Sequence, residues 1–203
     1  MQELEFAILD HIQGIRLPFL DPVMIYASRS SDHGELWLIV GVLLLLLYLK
    51  REKKQKRTIE VFRMGNVERY SSGSGDHCVL NPGITVLLAI LLSALIVNLT
   101  IKPVVMRIRP YDINTAVRLI TDKMSDYSFP SGHSSVSFAS ATAILLWNRR
   151  AGLFAILFAL LIAFSRLYLY MHYPTDVLAG ILIGIFCGMS AYLIHKKFFQ
   201  KLY

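Results

Sequence analysis

The residues best suited to chemistry lie in one short stretch of the chain. Residues 165–176 read SRLYLYMHYPTD and contain Ser165, Arg166, His172 and Asp176. A carboxylate four residues after a histidine lies on the same face of a helical turn. Such a carboxylate can fix one imidazole nitrogen and leave the other free to attack a substrate. The same stretch also fits an interfacial patch of arginine, histidine and tyrosine at a membrane edge.

A second stretch supplies cations. Residues 102–110 contain Lys102, Arg107 and Arg109 and end with Pro110. A guanidinium can donate to two phosphate oxygens at once, and a lysine adds a compact positive charge. The positive-inside bias of the other basic segments places this stretch on the non-cytoplasmic side of the membrane, where cations are sparse. We therefore expect them to bind an anion.

A third stretch, residues 130–133, reads PSGH and comes directly before an apolar segment. Proline and serine favour a helix start, and a helix N-terminus presents free N–H groups to an anion. Gly132 lets that anion approach the backbone, and His133 lies in the first turn. Cysteines or acidic clusters of metal-ligand type do not accompany these residues. The set therefore predicts phosphoryl transfer through a phosphohistidine, without a metal or cofactor.

The three stretches resemble the motifs of the type 2 phosphatidic acid phosphatase family, whose site is shared with vanadium haloperoxidases. The family pattern is Lys, six residues, Arg-Pro; then Pro-Ser-Gly-His; then Ser-Arg, five residues, His, three residues, Asp. All three motifs occur complete and in order, and the resemblance covers roughly residues 84–194. It implies an integral-membrane enzyme that hydrolyses a lipid phosphate.

The resemblance also implies a role for each motif residue. His172 is expected to attack phosphorus, Asp176 to orient it, and His133 to protonate the leaving oxygen and then assist water. The residues expected to hold the phosphate oxygens are Lys102, Arg109, Ser131, Gly132 and Arg166. Arg107 and Asp112 lie outside the motifs, and we expect them to be structural.

The composition predicts the class of protein that carries these motifs. Apolar residues make up 55% of the 203 residues and charged residues 17%, whereas soluble domains carry about 25% charged residues. We therefore predict a single all-α domain, residues 1–203, built as a polytopic membrane helix bundle. The net charge of +7 lies mostly in short segments beside the apolar runs. This pattern favours the positive-inside rule over nucleic-acid binding.

The apolar runs predict about five transmembrane helices, because a bilayer is crossed by roughly 20 residues. Their approximate ranges are 36–49 with a start near residue 31, 84–101, 133–147, 151–170 and 177–194. Residues 3–26 predict an amphipathic helix that lies in the membrane interface, with a buried first helix as the alternative. Residues 50–82 predict a cytoplasmic loop, flexible from residue 58 onward. Acidic residues near the start are not typical of a signal peptide.

The basic segments predict the orientation. Residues 50–57, 149–150 and 196–201 fall on one side, which positive-inside bias assigns to the cytoplasm. Residues 102–132 and 171–176 then meet on the opposite, extracytoplasmic face. A site there, beside membrane helices, indicates a lipid head group as substrate and the bilayer as partner. The sequence does not predict an oligomeric state.

The substrate and two other function classes stay open. Resemblance to the bacterial members that recycle the undecaprenyl carrier favours undecaprenyl diphosphate. The other candidate substrates are phosphatidylglycerophosphate, phosphatidate and diacylglycerol diphosphate. The alternative functions are a haloperoxidase-like enzyme with bound vanadate and a non-catalytic membrane module that retains the anion site.

Overall fold

The computed structural model describes residues 2–64 and 81–202, and within these ranges every regular element is a helix. The N-terminal elements are α1 (Gln2–Gly14), α2 (Asp21–Arg29), a 3₁₀ helix (Asp32–Gly34) and α3 (Glu35–Met64). They are followed by α4 (Pro82–Ala94), a π-helix (Leu95–Ile101), α5 (Lys102–Val105) and α6 (Pro110–Ile113). The last three are α7 (Gly132–Trp147), α8 (Arg149–Tyr168) and α9 (Pro174–Leu202). The predicted all-α class is confirmed.

Side-chain caps fix the starts of three long helices. Asn81 caps α4, Ser131 caps α7 and Asn148 caps α8. In each case the side-chain oxygen accepts a hydrogen bond from a backbone N–H two or three residues later. Such caps satisfy donors that a helix start leaves unpaired. The start of α7, where the second motif lies, is therefore set by its own sequence.

Helix α7 is the centre of the bundle and packs against α4, α8 and α9. It is buried on most of its surface, and seven of its 16 residues are serine or alanine. Two of its serines hydrogen-bond to neighbouring helices: Ser135 to Ser93 at 2.7 Å, and Ser137 to the indole N–H of Trp37 at 2.9 Å. Small side chains let the neighbours approach closely, and the hydroxyl pairs satisfy polar groups inside the bundle.

The glycine repeat of α9 forms the seam with α7. A β-carbon added at Gly180, Gly184 or Gly188 would collide with a backbone carbonyl oxygen of α7 or of its cap, Ser131. Hydrogen is therefore the only side chain that this helix separation accepts at these positions. The close-packing face predicted from the glycine spacing is an intramolecular contact within the bundle.

Three helical segments are long and apolar enough to cross a membrane: Pro82–Ile113, Arg149–Tyr168 and Pro174–Phe198. They correspond to the second, fourth and fifth predicted spans. The first and third predicted spans coincide with α3 and α7, which are helices but are not among these three. Helix α7 has 16 residues, which is shorter than the roughly 20 that cross a bilayer unaided. The count of five spans therefore stays a prediction.

Two boundary predictions are corrected by the structure. The single helix predicted over 3–26 is two helices, α1 and α2, because residues 15–20 with Pro18 interrupt it. The buried face of α1 includes Glu5, Leu9 and Ile12. Helix α3 continues to Met64, so residues 50–64 of the predicted loop are helical. The rest of the predicted loop, residues 65–80, lies outside the described residues.

The seam predicts a large penalty for a single methyl group. In Gly188→Ala the new Cβ would lie 2.6 Å from the Ala139 carbonyl oxygen and 2.7 Å from Thr142 Cβ. We expect thermal unfolding in detergent to show a loss of about 1–3 kcal/mol, the usual effect of overpacking. Gly14→Ala is the matched control, since an added Cβ there meets nothing within 4 Å. Equal stability of both variants would contradict the close α7–α9 packing.

Candidate active site

The predicted nucleophile, His172, lies in the turn between α8 and α9. Tyr170 in this turn has a positive φ of 61° and is fully buried. Its hydroxyl donates to Asp10 at 2.7 Å and accepts from the Asn114 amide at 3.1 Å. A left-handed residue other than glycine costs about 1–3 kcal/mol, so these contacts help to hold the turn. Burial and Asp10 raise the pKa of Tyr170 to about 12, which keeps the hydroxyl protonated.

The two ring nitrogens of His172 have different surroundings. Nδ1 lies 3.5 Å from Asp176 Oδ2 and 3.5 Å from the Ser128 hydroxyl. Nε2 lies 3.3 Å from Nη1 of Arg109, which can only donate. These neighbours assign the proton to Nδ1 and the lone pair to Nε2. The nitrogen with the lone pair therefore faces the cations.

His172 is neutral at physiological pH. Its side chain is 1% exposed, and burial is the largest factor that lowers its pKa well below the usual value. The positive charges of Arg109, Arg166 and Lys102 lower the pKa further. Both effects disfavour the imidazolium form. A neutral imidazole is the form that can donate its lone pair to an electrophile.

Asp176 is fully buried and is held from three directions. Its Oδ2 accepts hydrogen bonds from the Ser128 hydroxyl and from the backbone N–H of Tyr173. Its Oδ1 accepts a hydrogen bond from Arg107 Nη1 at 2.6 Å. A carboxylate away from water is tolerated in its charged form only with such partners. Arg107, expected from the sequence to be structural, therefore contacts the predicted catalytic carboxylate directly.

Lys102 and Arg109 both donate to Asp126, in the loop before α7. Lys102 Nζ binds Oδ2, and Arg109 Nη2 binds Oδ1. Arg109 Nε also donates to the Asp126 carbonyl oxygen at 2.8 Å. Burial acts to raise the pKa of Asp126, but Lys102 and Arg109 outweigh it and hold the pKa at about 2. An ionised carboxylate thus binds the cations that the sequence predicts for phosphate.

Arg166, at the end of α8, is 2% exposed and lines the same cavity. Its Nη1 donates to the Ser28 hydroxyl, and its Nη2 lies 2.9 Å from the Met124 sulfur. Its Nε is buried and has no hydrogen-bond acceptor among the described residues. Leaving a buried donor of a charged group unpaired is costly. Arg166 therefore lines the cavity with one buried donor that no described residue pairs.

The motif residues at the start of α7 make different contacts: Gly132 and His133 border the cavity, whereas Ser131 caps the helix. A Cβ added at Gly132 would lie 3.8 Å from Lys102 Nζ, so this backbone borders the cation cluster. His133 Nε2 lies 2.9 Å from the Asp32 carboxylate. Ser131 is fully buried, and its hydroxyl oxygen accepts hydrogen bonds from the Ser134 N–H and hydroxyl. Ser131 acts as a helix cap here, and its role as a phosphate ligand stays a prediction.

These residues surround a cavity of about 570 Å³. The predicted site residues that line it are Lys102, Arg109, Gly132, His133, Arg166 and His172. Asp176 and Ser131, the other two predicted site residues, do not line the cavity. Apolar side chains of α4, the π-helix and α7 form another part of the wall: Ile90, Ala94, Val97 and Val136. The cavity can therefore receive an anionic group attached to an apolar one.

Within residues 2–64 and 81–202, no group of three or more His, Cys, Asp or Glu side chains is placed to hold a metal ion. A metal-free and cofactor-free reaction stays a prediction. The anion-binding groups in the cavity are instead cationic side chains and the start of α7.

Sequence reasoning did not predict the contacts that five residues make with the predicted site, in the case of Glu5 through Arg107. These residues are Glu5, Asp32, Arg107, Asp126 and Ser128. Asp126 and Ser128 directly precede the second motif, and that proximity is a signal that could have found them. Arg107 lies inside the first motif at a position that the family pattern leaves open. Glu5 and Asp32 are distant along the chain, and the sequence offers no comparable signal for them.

Comparison with known proteins identifies a family. The PAP2 superfamily model matches residues 82–200. Undecaprenyl-diphosphatase BcrC of Bacillus subtilis is 36% identical over 169 residues, which cover 83% of this chain and 72% of the relative. The putative undecaprenyl-diphosphatase YbjG of Escherichia coli is 38% identical over 96 residues, 47% of this chain. That alignment spans 48% of the relative, so the match covers about half of its length.

Solved structures show the same fold. LpxE of Aquifex aeolicus superposes with a TM-score of 0.66 at 24% identity, covering 93% of this chain and 94% of the other. A phosphatidylglycerolphosphate phosphatase of PAP2 type from Bacillus subtilis gives a TM-score of 0.64 at 21% identity, covering 97% and 86%. At these identities the likeness concerns the arrangement of helices and does not identify a substrate.

Asp126 competes with any anion for Lys102 and Arg109, and this predicts an effect of removing its charge. Asp126→Asn keeps the side-chain shape, and we expect vanadate to bind about tenfold more tightly, equivalent to about 1.4 kcal/mol. Glu3→Gln is the control, since it removes one negative charge from an exposed side chain of α1 that does not line the cavity. Weaker vanadate binding by Asp126→Asn would instead show that Asp126 holds the cations in place for the anion.

The buried neutral imidazole predicts a pH-dependent stability. Below its usual pKa of about 6.5, His172 takes up a proton in the unfolded chain but not in the folded one. The free energy of unfolding should therefore fall as pH falls, by up to about 1.4 kcal/mol per pH unit below that value. His172→Gln should lack this contribution. Thermal unfolding in detergent at pH 7.5 and 5.5 measures it, and parallel curves for both proteins would contradict the lowered pKa.

Proposed function

This chain belongs to the PAP2 superfamily, and we propose that it hydrolyses a lipid phosphate through a phosphohistidine intermediate. One observation carries the mechanism: His172 lines the same cavity as Lys102, Arg109 and Arg166, and its Nε2 lies 3.3 Å from Arg109 Nη1. A nucleophile and a cluster of cations around the same space are what transfer of a phosphoryl group requires.

In the first step His172 Nε2 attacks phosphorus, and the bond between phosphorus and the lipid oxygen breaks. The Nδ1–H remains directed at Asp176, which stabilises the positive charge that the ring gains. His133, which lies on the cavity wall and has to enter this step as an imidazolium paired with the Asp32 carboxylate and the bound phosphate, donates its proton to the departing lipid oxygen and becomes neutral. The products of this step are the dephosphorylated end of the lipid and a phosphoryl group bonded to His172.

In the second step water attacks the phosphohistidine. His133, now neutral, accepts a proton from that water, the P–N bond breaks, and His172 recovers its lone pair. Inorganic phosphate leaves, and the side chains return to their initial protonation states. The proton given to the lipid in the first step is thereby replaced from water.

The cations stabilise the charge that develops on the phosphate oxygens in both steps. Lys102, Arg109 and the unpaired Nε of Arg166 provide donors, and the N-terminus of α7 at Gly132 adds its dipole. Removing one such donor typically lowers the rate by about 100- to 1,000-fold. The Asp126 carboxylate has to leave Lys102 and Arg109 before phosphate can bind them. Its 43% exposure supports such a movement.

Undecaprenyl diphosphate is the substrate that we propose. Two relatives with this activity in their names, BcrC and YbjG, support it. The mixed lining of the cavity, with cations on one part and Ile90, Ala94, Val97 and Val136 on another, fits a diphosphate joined to an apolar chain. The products would be undecaprenyl phosphate and inorganic phosphate. Phosphatidylglycerophosphate, phosphatidate and diacylglycerol diphosphate are the alternatives that a substrate comparison must exclude.

The proposed location is a cell membrane, crossed about five times, with the site on the extracytoplasmic face. The three apolar helical segments support a multi-pass protein. The basic segments 149–150 and 196–197 lie at the ends of helices opposite to the cavity, which supports the orientation by the positive-inside rule.

A substrate panel tests this function. In buffer with EDTA, the purified protein should release phosphate from undecaprenyl diphosphate with a higher kcat/KM than from the three alternative lipids. His172→Ala should lower this activity by at least about 1,000-fold, because the nucleophile is lost. Vanadate should inhibit, since it adopts the five-coordinate geometry of the transition state.

The control variant for this panel is His11→Ala, which removes an exposed histidine of α1 and should retain wild-type activity. Full activity of His172→Ala would exclude the phosphohistidine mechanism. Oxidation of halide by the vanadate-loaded protein would support a haloperoxidase, and a lack of turnover on every lipid phosphate would support a non-catalytic module.

A further inference from the structure

We propose that Glu5 and Arg107 are positioning residues for phosphoryl transfer, because together they hold the carboxylate of Asp176 and through it the ring of His172. We call this pair the Glu5–Arg107 clamp. The inference rests on the proposed function, in which His172 is the nucleophile. Neither residue is at a fixed position of the three motifs, and neither lines the cavity.

Arg107 is surrounded by groups that connect it to the turn of His172. Its Nη1 donates to Asp176 Oδ1 at 2.6 Å and to the Thr175 hydroxyl at 2.8 Å. Its guanidinium carbon lies 3.8 Å from the centre of the Tyr173 ring, a cation–π distance. Its Nη2 donates to Glu5. The planar guanidinium thus donates to Asp176 with one terminal nitrogen and to Glu5 with the other, which the single ammonium group of a lysine cannot do.

Glu5 is the part of the clamp that comes from the N-terminal helix. Its side chain is 6% exposed and lies on the same buried face of α1 as Leu9 and Ile12. Its Oε2 accepts from Arg107, and its Oε1 accepts from the hydroxyl of Thr175. A glutamate on the apolar face of a helix costs free energy unless its charge is paired. Both of its oxygens are paired with groups that hold the turn.

The clamp fixes the orientation of Asp176. Arg107 binds Oδ1, while Ser128 and the Tyr173 N–H bind Oδ2, so the carboxylate cannot rotate about its own axis. The same Oδ2 lies 3.5 Å from His172 Nδ1. This separation is longer than a normal hydrogen bond. Because this contact is weak, the imidazole alone does not hold Asp176 in place, and the other partners of the carboxylate have to align it. The position of the carboxylate in turn orients the Nδ1–H of His172 and the lone pair of Nε2.

A purely structural tie between α1 and the bundle would give a different result from a positioning clamp. Loss of a structural tie lowers the amount of folded protein without changing the rate of the folded fraction. Loss of positioning lowers kcat, because misplacement of a reacting atom by about 1 Å can cost about 100-fold. It should leave KM and vanadate inhibition nearly unchanged, since the cations that bind the anion are retained.

The experiment compares Arg107→Gln, Arg107→Lys and Glu5→Gln, assayed on the lipid phosphate that the wild type turns over fastest. We expect kcat to fall about 100-fold in Arg107→Gln and about tenfold in Glu5→Gln, with KM within about threefold. Arg107→Lys should recover part of the rate, because it restores the charge but not the fork. Arg118→Gln removes an exposed arginine of the same loop region and should retain wild-type kcat.

The double variant Glu5→Gln with Arg107→Gln adds a further criterion. Since Glu5 acts through Arg107, the double variant should be no slower than Arg107→Gln alone, whereas independent contributions would multiply. Thermal unfolding in detergent verifies that each variant is folded. If Arg107→Gln fails to fold, Glu5→Gln decides, because it keeps the side-chain shape and changes only the charge.

Unchanged kcat in a folded Arg107→Gln or Glu5→Gln protein overturns the clamp, and so does a loss that appears only in KM. Failure of the proposed function looks different: the wild type would release no phosphate, or His172→Ala would remain active. An active wild type that depends on His172 and is insensitive to Arg107 would therefore refute the clamp alone.

Discussion

Charges held away from water are the constraint on which the rest of the site depends. In the site, Lys102 and Arg109 pair with Asp126, and Arg107 pairs with Glu5 and Asp176. Asp32 pairs instead with His133. Two of these acids, Glu5 and Asp176, are almost fully buried, whereas Asp32 and Asp126 are nearly half exposed. The buried acids therefore fix the geometry, and the exposed Asp126, which binds Lys102 and Arg109, is the acid that an incoming anion has to replace.

The N-terminal segment is part of this charge arrangement. Besides the Glu5–Arg107 clamp, Gln13 donates to the Tyr168 carbonyl oxygen at 2.7 Å and the Tyr168 hydroxyl donates to Asp21 at 2.7 Å. Ser28 accepts a hydrogen bond from Arg166. These contacts connect α1 and α2 to the end of α8 and to the turn that carries His172. The segment thus supports the turn that carries the nucleophile.

The sequence predicts the parts of the molecule that depend on neighbouring residues. Apolar runs predicted three spans that the structure contains, and the glycine repeat predicted the close packing of α9. Boundaries failed where no local signal marks them, as in α3, which continues through charged helix-forming residues to Met64. Contacts such as Glu5 with Arg107 join residues about a hundred positions apart, and only the folded chain brings them together.

The carboxylate of Asp126 between Lys102 and Arg109 has a consequence for inhibitor chemistry. It shows that a single carboxylate, with one negative charge and two oxygens, satisfies both cations. A small molecule that places a carboxylate at this position would occupy the same pair without a phosphonate. Such a compound needs less desolvation than a doubly charged mimic, because only one negative charge has to leave water.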